Sequence, residues 1–94
     1  MTLARVVSFE GVDANRIAEM SSSIEEGERP ADLPATEMML LHDPGTDTAL
    51  AIMFFDSEDD YRQGDAVLGA MPASDTPGRR TSVTKYTVAV RATN

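Results

Sequence analysis

Hydrophobic periodicity along this chain alternates between the two-residue repeat of β-strands and the three-to-four-residue repeat of helices, and this alternation constrains the fold most. Four segments are alternating, or rich in β-branched and apolar residues, at positions 3–9, 37–42, 48–55 and 81–92. The turn-forming residues 43–47 separate the middle two segments and predict a hairpin. We therefore predict four strands, of which the second and third are neighbours.

A helix is predicted between the first two strands. Asp13 can accept hydrogen bonds from the free N–H groups of its first turn, and Gly27 can end it in a left-handed conformation. Pro30 and Pro34 remove backbone donors, so residues 28–35 are predicted to be an ordered loop or an extended crossover and not a helix. The buried stripe of this helix is predicted to be Ile17, Met20, Ser21 and Ile24.

A second helix is predicted after the third strand. Asp56 or Ser57 can cap it, and the acidic residues 58–60 suit the positive end of the helix dipole. Gly64 interrupts the pattern, which predicts a kink or a division into two short helices before Pro72.

The predicted order is β-α-β-β-α-β, which is typical of an α+β, ferredoxin-like domain with a four-stranded antiparallel sheet and both helices on one face. The 94 residues suffice for a single domain, 1–94. With a five-residue turn, Met38, Leu40 and His42 share a side with Leu50, Ile52 and Phe54, and both sides of the hairpin are apolar. Helices cover only one side, so we expect a second copy of the sheet, in a homodimer, to cover the other.

Composition excludes several classes of function. The chain has 16 Asp and Glu against 8 Lys and Arg, a net charge of −8 that repels nucleic acid and anionic membranes. Cysteine is absent and His42 is the single histidine, so we expect neither a metal nor another cofactor. Residues 1–11 lack the regions of a signal peptide, and we expect a cytoplasmic protein.

Three segments carry a resemblance to a known family: residues 4–7 (ARVV), 53–59 (MFFDSED) and 81–88 (TSVTKYTV). The chain resembles the dimeric α/β barrel superfamily, in particular the small proteins similar to antibiotic biosynthesis monooxygenases. The resemblance implies two facing sheets in a homodimer and a cofactor-independent oxygenase acting on a small aromatic or polyketide-like compound. The better-defined oxygenases of the family use a tryptophan that this chain lacks, so their catalytic residues are not carried over.

Three residues are candidates for ligand binding. A charge on the apolar first strand is costly beneath helices, so Arg5 is predicted to face the interior between the two sheets. Lys85 would join it if its side of the fourth strand is also internal, and the two cations would suit a small anionic ligand. The alternative for both is an ion pair, for Lys85 with Glu37 or another carboxylate across the dimer.

His42 ends the second strand and could act as a base or ligand, or be a half-exposed residue bonded to the turn. Tyr86 alternates with Lys85 and is predicted to lie on the opposite side of the strand. Two functions therefore remain open. The first is an oxygenase-like or isomerase-like enzyme that uses Arg5, with His42 as a second candidate, to stabilise a developing anion. The second is a non-catalytic dimer that binds a small apolar or anionic ligand or serves as an interaction module.

Overall fold

The computed structural model describes residues 1–25, 33–70 and 76–93 and confirms the predicted β-α-β-β-α-β order. The sheet is antiparallel, with strand order β2-β3-β1-β4, so the architecture is ferredoxin-like α+β. The elements are β1 (Leu3–Glu10), α1 (Ala14–Glu25), β2 (Glu37–Asp43), β3 (Thr48–Phe55), α2 (Glu58–Gly69) and β4 (Arg79–Thr87).

Both helices begin at the predicted caps. The Asp13 carboxylate accepts a hydrogen bond from the backbone N–H of Arg16 at 2.7 Å, and the Ser57 hydroxyl accepts one from that of Asp60 at 3.1 Å. Each bond satisfies a donor that the first helical turn leaves free. The predicted cap at Gly27 lies outside the described residues, whereas the predicted end of the second helix before Pro72 is confirmed, since α2 ends at Gly69 with Ala70 as its cap.

The predicted break at Gly64 is wrong, because α2 runs through it without interruption. A Cβ at this position would lie 2.3 Å from the Phe55 ring, so only glycine lets the helix approach β3 this closely. Packing against the sheet outweighs the low helix propensity of glycine.

The core lies between the sheet and the helices and forms two clusters. Val7, Phe9, Val12 and Ala49 form the cluster that Ile17 of α1 covers. Leu3, Phe55 and Tyr61 form the cluster at the start of α2, where the rings of Phe55 and Tyr61 meet edge to face at 5.5 Å. On β1, β2 and β3 the side that faces the helices is thus the more buried one, whereas β4 is exposed along its length.

The predicted hairpin register is wrong. Asp43 pairs with Thr48, and Met38 pairs with Met53, so four residues, 44–47, connect the strands. Met39 and Leu41 therefore share a side with Leu50, Ile52 and Phe54. The fourth strand is also shorter than predicted: β4 ends at Thr87, and only the N–H of Val88 continues the pairing, with the carbonyl of Thr2. None of the helices in the described parts of the chain has the length and hydropathy to cross a bilayer.

Candidate functional site

The side of the sheet opposite the helices, which we call the open face, consists of rows that the strand pairing brings together. Outermost is a polar row, Asp43, Thr48, Glu10 and Arg79. Next come Leu41, Leu50, Ser8 and Ser82, then Met39, Ile52, Val6 and Thr84, and finally Glu37, Phe54, Ala4 and Tyr86. Strands β2, β3 and β1 thus supply the apolar side chains, and β4 supplies a column of hydroxyl groups.

Apolar side chains of the open face meet solvent in the single chain. The exposed fraction is 42% for Met39, 45% for Leu41, 37% for Leu50 and 54% for Tyr86. Met39, Leu41 and Leu50 lie in adjacent rows on β2 and β3, so their exposed surface is contiguous, whereas Tyr86 lies on β4 at the other edge of the sheet. Contiguous apolar surface of this kind is typical of a binding or association surface.

A groove of about 470 Å³ lies at the hairpin end of the open face. Leu41 and Leu50 give it apolar walls, and Thr81, whose hydroxyl donates to the carbonyl of Ser8 at 3.2 Å, lines it from β4. The polar side chains of the open face that line it are Ser8, Glu10, Asp43 and Thr48. A groove of this size is large enough for a small organic molecule.

Arg5 lies on the helix side of the sheet, not on the side predicted from the sequence. Its side chain is 5% exposed, and its Nε donates to Oδ1 of Asp65 on α2 at 2.8 Å. The expectation that Arg5 would avoid the helices is wrong, because α2 supplies the carboxylate of Asp65, which pairs with the guanidinium. Arg5 therefore cannot contact a molecule on the open face.

Lys85 pairs with Arg5 across the strands and shares its side of the sheet. Its Nζ donates to both carboxylate oxygens of Glu58, at 2.6 and 2.7 Å, and lies 5.0 Å from the centre of the Tyr61 ring. The ion-pair alternative thus holds for both cations, with partners on α2 of the same chain. Burial of the Tyr61 phenol, and next the negative charge of Asp65, raise its pKa above the ordinary 10.0.

His42 also points to the helix side, at the far end of the sheet from Lys85. Its Nε2 lies 3.3 Å from the carbonyl oxygen of Val12, in the connection between β1 and α1, rather than bonding to the turn. The residue borders the groove, whereas Arg5 and Lys85 do not line it. The three predicted ligand-binding residues are therefore not brought into one pocket. As predicted, the side chain of Tyr86 lies on the other side of the sheet from that of Lys85.

Sequence reasoning missed the carboxylates that hold the two cations. Glu58, Tyr61, Asp65 and Leu68 follow the three-to-four-residue spacing of the sheet-facing side of α2. This spacing, considered together with the cations Arg5 and Lys85 on the strands, was the feature of the sequence that could have predicted the two ion pairs. From the sequence, Glu58 is predicted only to favour the helix dipole, and no partner is predicted for Asp65.

Arg91 brings a positive charge to the open face from the segment after β4. Its guanidinium lies 4.9 Å from the centre of the Phe54 ring and forms an ion pair with Glu37. The described residues include no group of three His, Asp or Glu side chains positioned to hold a metal ion. The chemistry of the open face is thus apolar contact, hydroxyl hydrogen bonding and charges at its two ends.

Comparison of the chain with protein-family models and with curated proteins found no match.

Proposed function

We propose that the chain is a homodimeric ligand-binding protein in which two open faces meet, as in the dimeric α/β barrels, and hold a small apolar or aromatic molecule between them. The observation that carries this proposal is the contiguous exposed apolar surface of the open face, including Met39, Leu41 and Leu50. Burial of such a surface is the main driving force of association.

The size of the open face supports the dimer. Four strands about 4.8 Å apart and about 26 Å long give a projected area of about 500 Å². Two such faces, together with the ligand held between them, account for about 1,000 Å² of covered surface, the threshold at which a biological interface can be argued. A facing pair of sheets would also place two columns of β4 hydroxyl groups beside the apolar surface, where they can orient a bound molecule.

Binding is better supported than oxygenation. The oxygenase hypothesis used Arg5 to stabilise an anion, and Arg5 lies under α2 in an ion pair with Asp65. The groups available on the open face, apolar side chains and the hydroxyls of Ser82, Thr84 and Tyr86, are suited to holding a molecule. The proposed function therefore requires no reaction.

Met39→Glu tests the proposal, because the substitution places a charge in the apolar rows that the proposed dimer buries, outside the groove, where burial without a partner is costly. We expect the wild-type protein to sediment as a dimer and to enhance the fluorescence of the neutral dye Nile red. The variant is expected to sediment as a monomer and to lose most of the enhancement. Circular dichroism checks that the variant is folded, as expected for a site already exposed in the single chain.

Ala18→Glu is the matched control, since it adds the same charge at an exposed position of α1. It should leave both the dimer and the dye signal unchanged. A wild-type protein that stays monomeric at high micromolar concentration would refute the dimer, and a dimer without dye enhancement would refute ligand binding.

A further inference from the structure

We propose that the groove at the hairpin end of the open face selects neutral or cationic aromatic molecules and rejects anions. The inference rests on the proposed ligand-binding function and assigns its ligand class and its position. It also reverses the expectation from the sequence, in which Arg5 and Lys85 would attract an anion. The structure directs both of those cations to carboxylates of α2.

The walls of the groove favour a flat apolar ligand. Leu41 and Leu50 are opposite one another on β2 and β3, and both are more than one-third exposed in the single chain. A ring lying against them would remove this apolar surface from water. The volume of about 470 Å³ accommodates a molecule of two or three rings.

The floor offers one hydroxyl for hydrogen bonding. Ser8 lies next to Leu50 across the strands, and its hydroxyl has no hydrogen-bond partner among the described residues. The hydroxyls of Thr81 and Thr48 are already engaged, with the carbonyl of Ser8 and with Thr46. Ser8 can therefore give or accept one hydrogen bond with an amine, hydroxyl or carbonyl group of the ligand.

The charge at the mouth decides the ligand class. Glu10 and Asp43 stand in the polar row that borders the groove. Arg79 neutralises Glu10, whereas Asp43 is bonded to the backbone N–H of Gly45, which leaves its charge in place. An anion beside Asp43, in a protein of net charge −8, is repelled, and a neutral or cationic molecule is not.

The same charge keeps the two copies of the proposed dimer apart at this end of the sheet, where the ligand lies between them. A second copy carries the same net charge of −8 and the same polar row. Like charges facing one another across an interface oppose close approach. The apolar rows nearer the middle of the open face can therefore pair while the groove stays available to a ligand.

Two dyes that share one ring system test the inference: N-phenyl-1-naphthylamine, which is neutral, and 8-anilino-1-naphthalenesulfonate, which carries a sulfonate. Titration of the wild-type protein should give a dissociation constant at least about fivefold lower for the neutral dye. Asp43→Asn should strengthen binding of the sulfonate dye and leave the neutral dye unchanged. Ser8→Leu, which fills the floor, should weaken binding of both.

Asp59→Asn is the control, since it removes an exposed carboxylate of α2 on the opposite side of the sheet from the groove. It should change neither dye. Equal affinity of a dimeric protein for the two dyes, without an effect of Asp43→Asn or Ser8→Leu, would overturn the inference and leave the proposed function intact.

Sedimentation of the same samples separates the two proposals. A monomer that binds the neutral dye preferentially, with sensitivity to Ser8→Leu, would support the groove and refute the dimer. A dimer that binds neither dye would refute both the groove and the ligand-binding half of the proposed function.

Discussion

Arg5 is a charged side chain in a position that is otherwise typical of the hydrophobic core. Its neighbours on the same side of β1 are Leu3 and Val7, both buried. Asp65, which is half exposed, satisfies the charge from α2. A hydrophobic residue would pack here as well, but the ion pair requires the Asp65 side of the helix to face β1. Together with the buried Tyr61 and the close approach of Gly64 to Phe55, the pair determines how α2 is rotated on the sheet.

Tyr61 makes the stability of this region fall as the pH rises through the alkaline range. Its pKa is raised above 10.0 in the folded chain by burial and then by Asp65, so the folded state binds the phenolic proton more tightly than the unfolded state does. The resulting stability is present below about pH 10 and is lost as the pH rises through the folded pKa. We expect the urea midpoint of the wild type to fall more between pH 8 and pH 11 than that of Tyr61→Phe. Equal losses in the two proteins would contradict this assignment.

At the level of single residues, the sequence identified the unusual charged residues of the strands but not the carboxylates that pair with them. Arg5 and Lys85 were recognised as unusual because each is a charge in a strand. Their direction was predicted wrongly for Arg5, because the strand pattern does not contain the carboxylates that α2 brings to the same place. Such pairs are separated by tens of residues, and local spacing alone cannot join them.

Helix α2 depends on the absence of a side chain at Gly64. An alanine Cβ there would overlap the ring of Phe55, which is fully buried and cannot move aside. We expect Gly64→Ala to lower the free energy of unfolding by about 1–3 kcal/mol, measured by urea denaturation. Gly69→Ala, in the last turn of the same helix, has open space around the added Cβ. It should be neutral or stabilise by up to about 1 kcal/mol. A stable Gly64→Ala would show that α2 does not rest on Phe55.

Strands and helix starts followed from the sequence, while the hairpin register did not. The caps Asp13 and Ser57 act within one turn, so local chemistry specifies them. Aspartate is typical of turns, so Asp43 is predicted to lie in the turn. Its backbone in fact pairs with Thr48, while its carbonyl accepts from the N–H of Thr46 at 3.3 Å and its side chain accepts from the N–H of Gly45 at 3.0 Å. One residue can thus act in a strand and in a turn at once.

The whole molecule, as a dimer, would unfold in a concentration-dependent way. Dissociation accompanies unfolding, so mass action raises the thermal midpoint as protein is added. We expect a rise of about 3 °C for each tenfold increase in wild-type concentration. Met39→Glu, as a monomer, should show a constant midpoint over the same range. A constant wild-type midpoint would contradict the dimer independently of sedimentation.

The order of elements was predictable because each boundary is marked twice, once by a change of period and once by a cap or turn residue. The sequence also showed that apolar residues cover both sides of the hairpin, which remains the basis for expecting a second copy. The groove was not predictable, since its lining comes from β1, β2, β3 and β4 together and depends on the register.

The position of β1 in the middle of the sheet has a consequence for how the chain folds during synthesis. β1 is made first, yet its partners on both edges, β3 and β4, are made after it. Glu10 and its partner Arg79 are separated by 69 residues, so the β1–β4 ladder closes late and over a long loop. In a nascent chain that ends just after β3, β1 can pair only with β3, so Val6 and Val7 have a partner strand on one side alone. β4 must leave the ribosome before it can pair with β1. Until then, the unpaired edge of β1 can form hydrogen bonds with strands of other chains.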